Sequence, residues 1–348
     1  MDDAAHVAPA QSYRFAFTGR AGDYFRIWIV SLCLSLLTLG VYSAWGKVRK
    51  RRYLQTHTRL DGDGFDYRAS PLAVLRGRII AVVFLGGFAL AAHFAPLAQL
   101  GFVVLLGILS PWIMVASARF NAHNSTYRNV TFAFDGRTAE AARVVIGGAF
   151  LTLITLGLAY PWYRMRRARF VAGRHRYGVT PFASALEAGT FYLVYLFALL
   201  MIGGILIAVG ATAAVAAFSS GGKPTQGGEL AVLAVTIATY TAYIAIYAYI
   251  RARTLNLVAN SLTIGPVRLE GTLRARTLAW LYLSNIVAIL ATIGLATPWA
   301  SVRVARYRAE SLIAHASAPL DTLLSGASPG GTATGSEVSE LFDVDVAL

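Results

Sequence analysis

The chain has 348 residues, of which 56% are hydrophobic and only 14% are charged. An ordinary soluble domain carries about 25% charged residues, so this composition is typical of a membrane protein. The formal net charge of +14 does not by itself indicate a nucleic-acid binder, because cations at the ends of apolar segments are expected under the positive-inside bias. The single cysteine, Cys33, excludes a disulfide within one chain.

Seven windows of the chain contain no Asp, Glu, Lys or Arg. Each is long enough for a transmembrane helix, which needs about 17–25 residues. The second and third windows are separated only by Pro96, which predicts a tight helical hairpin. A link rich in Gly, Ser and Pro separates the fifth and sixth and is expected to end both helices. The windows cover residues 27–45, 79–95, 97–118, 144–162, 190–218, 230–250 and 277–299.

One motif occurs three times, as TLGVYSAWGKVRKRRY (38–53), TLGLAYPWYRMRRARF (155–170) and TIGLATPWASVRVARY (292–307). In each copy a glycine precedes a tryptophan by five positions, and arginines follow the tryptophan by four and by seven positions. The recurrence predicts an internal repeat in which motif units alternate with helical hairpins. The predicted units cover about residues 13–118, 130–250 and 267–316, and the motif residues are Gly40, Trp45, Arg49 and Arg52; Gly157, Pro161, Trp162, Arg166 and Arg169; and Gly294, Pro298, Trp299, Arg303 and Arg306.

On a helix, the motif tryptophan and its two arginines fall on one face. One interpretation is a binding site for an anion or a phospholipid phosphate, because the planar guanidinium donates two parallel hydrogen bonds and stacks on aromatic rings. The other is interfacial anchoring, with tryptophan at the headgroup level and arginine reaching water or a backbone carbonyl.

The distribution of cations favours one topology. If all seven windows span the membrane, the lysines and arginines divide 14 against 17. If the motif windows 27–45, 144–162 and 277–299 enter and leave by the same face, the division is 30 against 1, which the positive-inside rule assigns to the cytoplasm. This arrangement predicts about 12 helical residues that descend about 18 Å, followed by an extended return from Leu39 to Trp45 packed inside the protein. Seven full spans remain the alternative.

Three short stretches alternate as strands do: YRFAFTG (13–19), GFDYRASP (64–71) and VTFAFDG (130–136). We therefore expect small β elements at the membrane surface of an otherwise all-α polytopic membrane protein, with residues 1–316 as a single membrane domain. Residues 317–348 contain five acidic and no basic residues, which predicts a disordered acidic tail.

The run FRIWIVSLCLSLLTLGVYSAWGKVRKRRYLQTHTRLDGDGFDYRASPLAVLRGR resembles the YjgN-like family of bacterial inner-membrane proteins, whose function is unassigned. The resemblance is most specific over residues 13–80 and extends more loosely to about residue 316. It implies a multi-pass helical protein of the bacterial inner membrane and supplies no catalytic residues.

The sequence predicts no catalytic residue, cofactor or metal site. None of the seven windows contains a carboxylate, the usual sign of a proton relay in a membrane, and no close His or Cys pair suggests a metal. We expect a non-enzymatic protein that binds anionic phospholipid or organises envelope partners through the Arg/Trp faces. The alternative is a channel or transporter for a small solute, anions included, with the arginine rows as its selectivity element.

Overall fold

The computed structural model describes residues 11–220 and 226–318, which form ten helices and eleven strands. Pairs of helices alternate along the chain with β-hairpins. The helices are α1 (Ala21–Leu37), α2 (Ser43–Thr56), α3 (Pro71–Phe94), α4 (Pro96–His123), α5 (Thr138–Ile154), α6 (Tyr160–Gly173), α7 (Ala188–Ser220), α8 (Gln226–Asn260), α9 (Ala275–Ala291) and α10 (Thr297–Glu310). The strands are β1 (Gln11–Arg14), β2 (Ala16–Phe17), β3 (Thr58–Leu60), β4 (Asp63–Tyr67), β5 (Ser125–Tyr127), β6 (Val130–Phe134), β7 (His175–Tyr177), β8 (Thr180–Ser184), β9 (Leu262–Ile264), β10 (Val267–Gly271) and β11 (Leu312–Ala316).

The strands form one antiparallel sheet that closes into a near-barrel. Its order is β1-β11-β10-β9-β8-β7-β6-β5-β4-β3-β2. The two ends of this order, β1 and β2, are consecutive in the chain and are separated only by Phe15. The N-terminal segment therefore pairs with β11 through its first half and with β3 through its second half.

The prediction of an all-α protein is wrong, because the eleven strands form a continuous sheet beneath the helices. The stretches 13–19, 64–71 and 130–136 do contain β1 with β2, β4 and β6. The remaining strands were missed because each has only three to five residues, too few for an alternating pattern to stand out. Their partners come from distant parts of the chain.

Four described helices are long and apolar enough to cross a membrane. They form two hairpins, α3 with α4 and α7 with α8. The first hairpin turns at Ala95, where α4 begins with Pro96, a residue suited to the first helical position. The candidate spans are Pro71–Phe94, Leu97–His123, Ala188–Val215 and Gly228–Asn260.

The three motif windows fold as pairs of shorter helices, α1 with α2, α5 with α6, and α9 with α10. The first helix of each pair has 17 residues and the second has 14. The turn between them contains Gly40, Gly157 or Gly294, with φ of +93°, +93° and +91°, a conformation that glycine adopts without steric cost. Each pair leaves the sheet and returns to it.

The return is therefore helical, and the predicted extended segment from Leu39 to Trp45 is wrong, since α2 already begins at Ser43. Pro161 and Pro298 lie in the first turn of α6 and α10, where they favour helix initiation. A helix satisfies its own backbone hydrogen bonds inside lipid, whereas an extended segment needs partners from the protein.

The tips of the short pairs are apolar and almost fully exposed. Leu39, Leu156 and Ile293 are 96%, 94% and 95% exposed. Exposed leucine and isoleucine at the end of a protrusion are stable in hydrocarbon and unfavourable in water. We therefore place the three tips inside the bilayer.

The ten helices form a closed ring above the sheet. Each helix contacts the next one along the chain, and α10 contacts α1. The second helix of each pair also lies against a neighbouring strand of the sheet. The five second helices, α2, α4, α6, α8 and α10, therefore surround a common centre.

Candidate functional site

The arginine seven positions after each motif tryptophan donates to a backbone carbonyl where a strand leads into a helix. The pairs are Arg52 with Tyr67 (2.8 Å), Arg169 with Leu186, and Arg306 with Gly19 (3.0 Å). On the long hairpins, Arg119 and Asn256 donate to the carbonyl oxygens of Gly136 and Leu273, both at 2.9 Å. Each of the five second helices is thus attached by a side-chain hydrogen bond to the short link between a strand and the helix that follows it.

Arg306→Gln is expected to lower the free energy of unfolding by about 1–2 kcal/mol, since it removes a charge-assisted hydrogen bond from a partly exposed donor. The bond from Arg306 to Gly19 joins the last helix to the first link. Thermal unfolding of the purified protein measures the effect. Arg268→Gln, on the exposed side of β10, is the matched control, and equal melting temperatures for the two variants would contradict a role in closing the ring.

The arginine four positions after each tryptophan stacks on an aromatic ring in the first turn of its helix or directly before that helix. The distances from the guanidinium carbon to the ring centre are 5.8 Å for Arg49 over Tyr42, 5.1 Å for Arg166 over Trp162 and 4.5 Å for Arg303 over Trp299. Trp45 instead stacks against Tyr42, with ring centres 6.0 Å apart. Arg303 also donates to Ser284 Oγ and Asn285 Oδ1, each at 3.0 Å.

A cavity of about 1270 Å³ lies between the sheet and the inner faces of the five second helices. None of the motif arginines or tryptophans lines it. The cavity is basic, and no carboxylate occurs among the described residues that line it. Its cationic side chains are Lys47, Lys50, Arg51, Arg78 and Arg308.

The three cations on α2 lie on the side of the helix opposite the motif tryptophan and arginines. At 100° per residue, Lys47, Lys50 and Arg51 lie about 200°, 140° and 240° around α2 from Trp45. The second copy has arginines at the first two of these positions, Arg164 and Arg167, but they do not line the cavity, and the third copy has no cation at any of the three. The cavity-lining cations of α2 could therefore have been found in the sequence from the motif positions at which the three copies differ.

Lys50 and Arg78 form the centre of the basic region. Both side chains are half-buried. Arg78 donates to Ser43 Oγ, whereas the Lys50 ammonium has no hydrogen bond or ion pair within the described chain. Burial, followed by the positive charge of Arg78, lowers the pKa of Lys50 below its ordinary value. Among the described residues, the site therefore holds a cation that lacks a counter-charge.

The affinity of this site for an anion is expected to fall as pH rises through the lowered pKa of Lys50, that is, before the ordinary lysine value of 10.5 is reached. Only the protonated ammonium attracts an anion. Between the lowered pKa and 10.5 the unfolded chain binds more protons than the folded chain, so the stability of the ligand-free protein rises with pH over that window. Binding titrations from pH 7 upward measure the effect, and Lys50→Arg is the control that retains its affinity.

The sheet closes the cavity with a row of phenylalanine rings. The ring centres of Phe15 and Phe65 are 6.2 Å apart, those of Phe65 and Phe132 are 6.4 Å apart, and those of Phe132 and Phe182 are 6.3 Å apart. All four rings line the cavity and pack on an apolar cluster inside the sheet that includes Tyr177. The sheet end is therefore sealed by apolar side chains.

The described residues contain no group of three or more His, Cys, Asp or Glu side chains arranged to hold a metal ion.

Four apolar helices of spanning length, three short helix pairs with exposed apolar tips and a basic cavity define a polytopic membrane protein. The chain belongs to the family described as "Bacterial protein of unknown function (DUF898)", which matches residues 12–341. No solved structure matches the chain.

The similar curated proteins are named inner membrane protein YjgN. The chain is 23% identical to that of Salmonella typhimurium over 349 residues, which covers 86% of this chain and 88% of the relative. It is 28% identical to that of Escherichia coli O157:H7 over 126 residues, which covers 36% of this chain and 31% of the relative. The resemblance to the YjgN-like family is confirmed.

Proposed function

We propose that the protein is a non-enzymatic integral protein of the bacterial inner membrane that binds an anionic, phosphate-type group in its central cavity. The observation that carries the proposal is the half-buried Lys50 ammonium beside Arg78, which has no counter-charge among the residues that the structure describes, in a cavity whose described lining has no carboxylate. The inner-membrane location rests on the names of the relatives and on the four candidate spans.

Electrostatics favours an anion at this position. Two like charges held together away from water raise the free energy of the folded state unless an opposite charge joins them. A phosphate oxygen accepts hydrogen bonds from an ammonium and from a guanidinium at the same time. Hydroxyl groups of Ser35 and Ser43 lie on the same side of the cavity and add short-range polar contacts.

We infer that the sheet and the basic segments face the cytoplasm. If the four long helices span the membrane, 30 of the 31 lysines and arginines belong to the sequence segments on one side, and Lys223, between the third and fourth candidate spans in the sequence, is the exception. Such an asymmetry specifies orientation under the positive-inside rule. In this orientation the cavity lies in the cytoplasmic half of the bilayer.

The exposed face of each motif helix is proposed to contact the headgroups of surrounding anionic lipids. Arg49 and Arg166 are exposed and are held over aromatic rings, which orients their donors at low entropic cost. Arg52, Arg169 and Arg306 already donate to backbone carbonyls. Their main role in this proposal is therefore to attach the helices to the sheet links.

A channel or transporter for a small anion is the second candidate. The closed ring of helices around one basic cavity favours it. The phenylalanine row would have to open for a solute to pass the sheet, so this candidate predicts anion flux in proteoliposomes that increases when Phe65 is replaced by alanine. A protein that only binds its ligand shows no flux in either form.

The proposed function is tested by thermal unfolding of the purified full-length protein in neutral detergent at constant ionic strength. The probes are inorganic phosphate and phosphatidylglycerol. A ligand that binds the folded state raises the melting temperature with its concentration. We expect at least one probe to do so in the natural protein and to lose most of its effect in Lys50→Gln and Arg78→Gln, but not in Arg268→Gln. No shift with either probe, or equal shifts in all four proteins, would overturn the proposal.

A further inference from the structure

We infer that the ligand of the central cavity is an amphiphile with a phosphate headgroup, a membrane phospholipid, rather than a small hydrated anion. This inference rests on the proposed function and specifies the class of ligand. It follows from three features of the cavity: its two unlike walls, its size and the place where it meets the membrane.

The basic side chains are confined to one wall. Lys50 lies on α2, Arg78 on α3 and Arg308 on α10. Because α1 lies between α10 and α2 in the helix ring, these three helices are close together on one side of the centre. An anionic group is therefore attracted to one side of the cavity and not to its middle.

The other wall of the cavity is apolar and is lined mainly by small side chains. It is formed by α4, α6 and α8 together with the strands that follow them. The lining residues there include Ala118, Ala122, Val171, Ala172, Val258 and Leu262. Such a surface offers dispersion contacts to a hydrocarbon chain and no hydrogen bonds to a hydrated anion.

The few polar groups on the apolar wall already have partners. Asn121 Oδ1 accepts a hydrogen bond from Arg51 at 2.6 Å, and Ser125 Oγ donates to the Asn121 carbonyl oxygen at 2.8 Å. His175 Nδ1 lies 2.6 Å from the Val171 carbonyl oxygen, and burial lowers the pKa of His175 so that the ring is neutral at pH 7. The wall therefore adds no charge that would bind an anion from the second side.

The cavity is larger than one hydrated ion requires. Its volume of about 1270 Å³ exceeds the range of about 300–1000 Å³ that is usual for pockets of small ligands. Its lining extends along α2 from Ser43 to Gln55, a distance of about 18 Å at the rise of an α-helix. A headgroup with the first part of its acyl chains matches such a long, one-sided space.

The end of the cavity away from the sheet lies beside the bilayer. Leu32, Ser35 and Ser43 line this end, close in sequence to the tip residue Leu39, which is 96% exposed. The first helices of the short pairs, with 17 residues each, are about 25 Å long and therefore stop before crossing a hydrocarbon core of about 30 Å. Among the described residues, the long hairpins alone extend beyond the tips of the short pairs. Acyl chains can therefore leave the cavity into lipid, whereas the sheet end is lined by the phenylalanine rings.

The test is a competition experiment on the full-length protein in neutral detergent. Native mass spectrometry measures retained phosphatidylglycerol and phosphatidylcholine, with inorganic phosphate added as the competitor. We expect phosphatidylglycerol to be retained about tenfold better than phosphatidylcholine, and millimolar phosphate to leave it bound. Ala122→Phe, which fills the apolar wall, should reduce retention of phosphatidylglycerol about tenfold.

A second variant, Val258→Phe, probes the same wall from α8 in case Ala122→Phe does not fold, and Leu90→Phe on the lipid-exposed side of α3 is the control. Displacement of phosphatidylglycerol by phosphate, or unchanged retention in the folded wall variants, would overturn the inference. If phosphate alone binds and requires Lys50, the proposed function stands and only the lipid is excluded. If neither probe binds, the proposed function fails as well.

Discussion

Lys50→Glu is expected to reduce the affinity for an anionic ligand by about 100-fold or more. The substitution removes one charge-assisted contact, worth about 1.5–3 kcal/mol, and each 1.4 kcal/mol changes affinity about tenfold. It also places a carboxylate beside Arg78, where an internal ion pair takes the place of the ligand. Titration with phosphatidylglycerol measures the loss.

The same substitution is expected to stabilise the ligand-free protein. Burial, followed by repulsion from Arg78, lowers the pKa of Lys50, and the substitution replaces that repulsion by an attraction. Like charges that are held together to bind a ligand often destabilise the ligand-free protein. Arg268→Glu reverses a charge on the exposed side of β10 and should leave both affinity and stability unchanged. A Lys50→Glu protein that binds as tightly as the natural protein would contradict the assigned site.

Phe120→Ala is expected to lower the free energy of unfolding by about 3–5 kcal/mol, the usual cost of truncating a buried phenylalanine. Phe120 lies near the end of α4 and is 2% exposed. Its ring packs with Val48 of α2, Tyr67 of β4 and Val74 of α3, so it joins a short pair, the sheet and a long hairpin. Thermal or denaturant unfolding in detergent measures the change.

Leu90→Ala serves as the comparison, because Leu90 is 61% exposed on the membrane-facing part of α3. Its truncation should change stability by less than about 0.5 kcal/mol. Similar losses for the two variants would show that the sheet and the helices do not share the core described above.

Features that depend on local sequence were predictable. The four long windows form the long helices because uninterrupted apolar residues favour helices in lipid, and Pro96 marks the turn between two of them. The motif arginines lie on one helical face with their tryptophan, as the spacing of four and seven positions requires. The anchoring interpretation allowed a backbone carbonyl as the partner of a motif arginine, but the sequence could not show which carbonyl, since Gly19 is 287 residues away from Arg306.

Features that depend on distant pairing were not predictable. The near-barrel closes where β1 meets β11, which places Tyr13 opposite Ala314, and strands of two to five residues carry almost no pattern of their own. The extended return was wrong because Gly40 and Pro161 were treated only as helix breakers. In the structure glycine forms the turn and proline starts the next helix.

The cavity was missed for a related reason. The positions shared by the three copies lie on the outer face of each motif helix, where, for example, Trp162 and Arg166 are in contact. The cavity uses the opposite face, and three of its five described cations, Lys47, Lys50 and Arg51, come from the first copy. The positions at which the copies differ therefore locate most of the described cations of the cavity.

The central claim is that the short helix pairs enter the membrane and return to the sheet, so that the cavity opens within one half of the bilayer. Cysteine accessibility in cells tests it most directly, on a background in which the exposed Cys33 is replaced by serine. We expect a membrane-impermeant maleimide to label Ala95→Cys in intact cells, to label Val179→Cys only after permeabilisation, and to label Leu156→Cys from neither side. Labelling of Leu156→Cys in intact cells as fast as Ala95→Cys would show that the short pairs cross the membrane and would contradict the account.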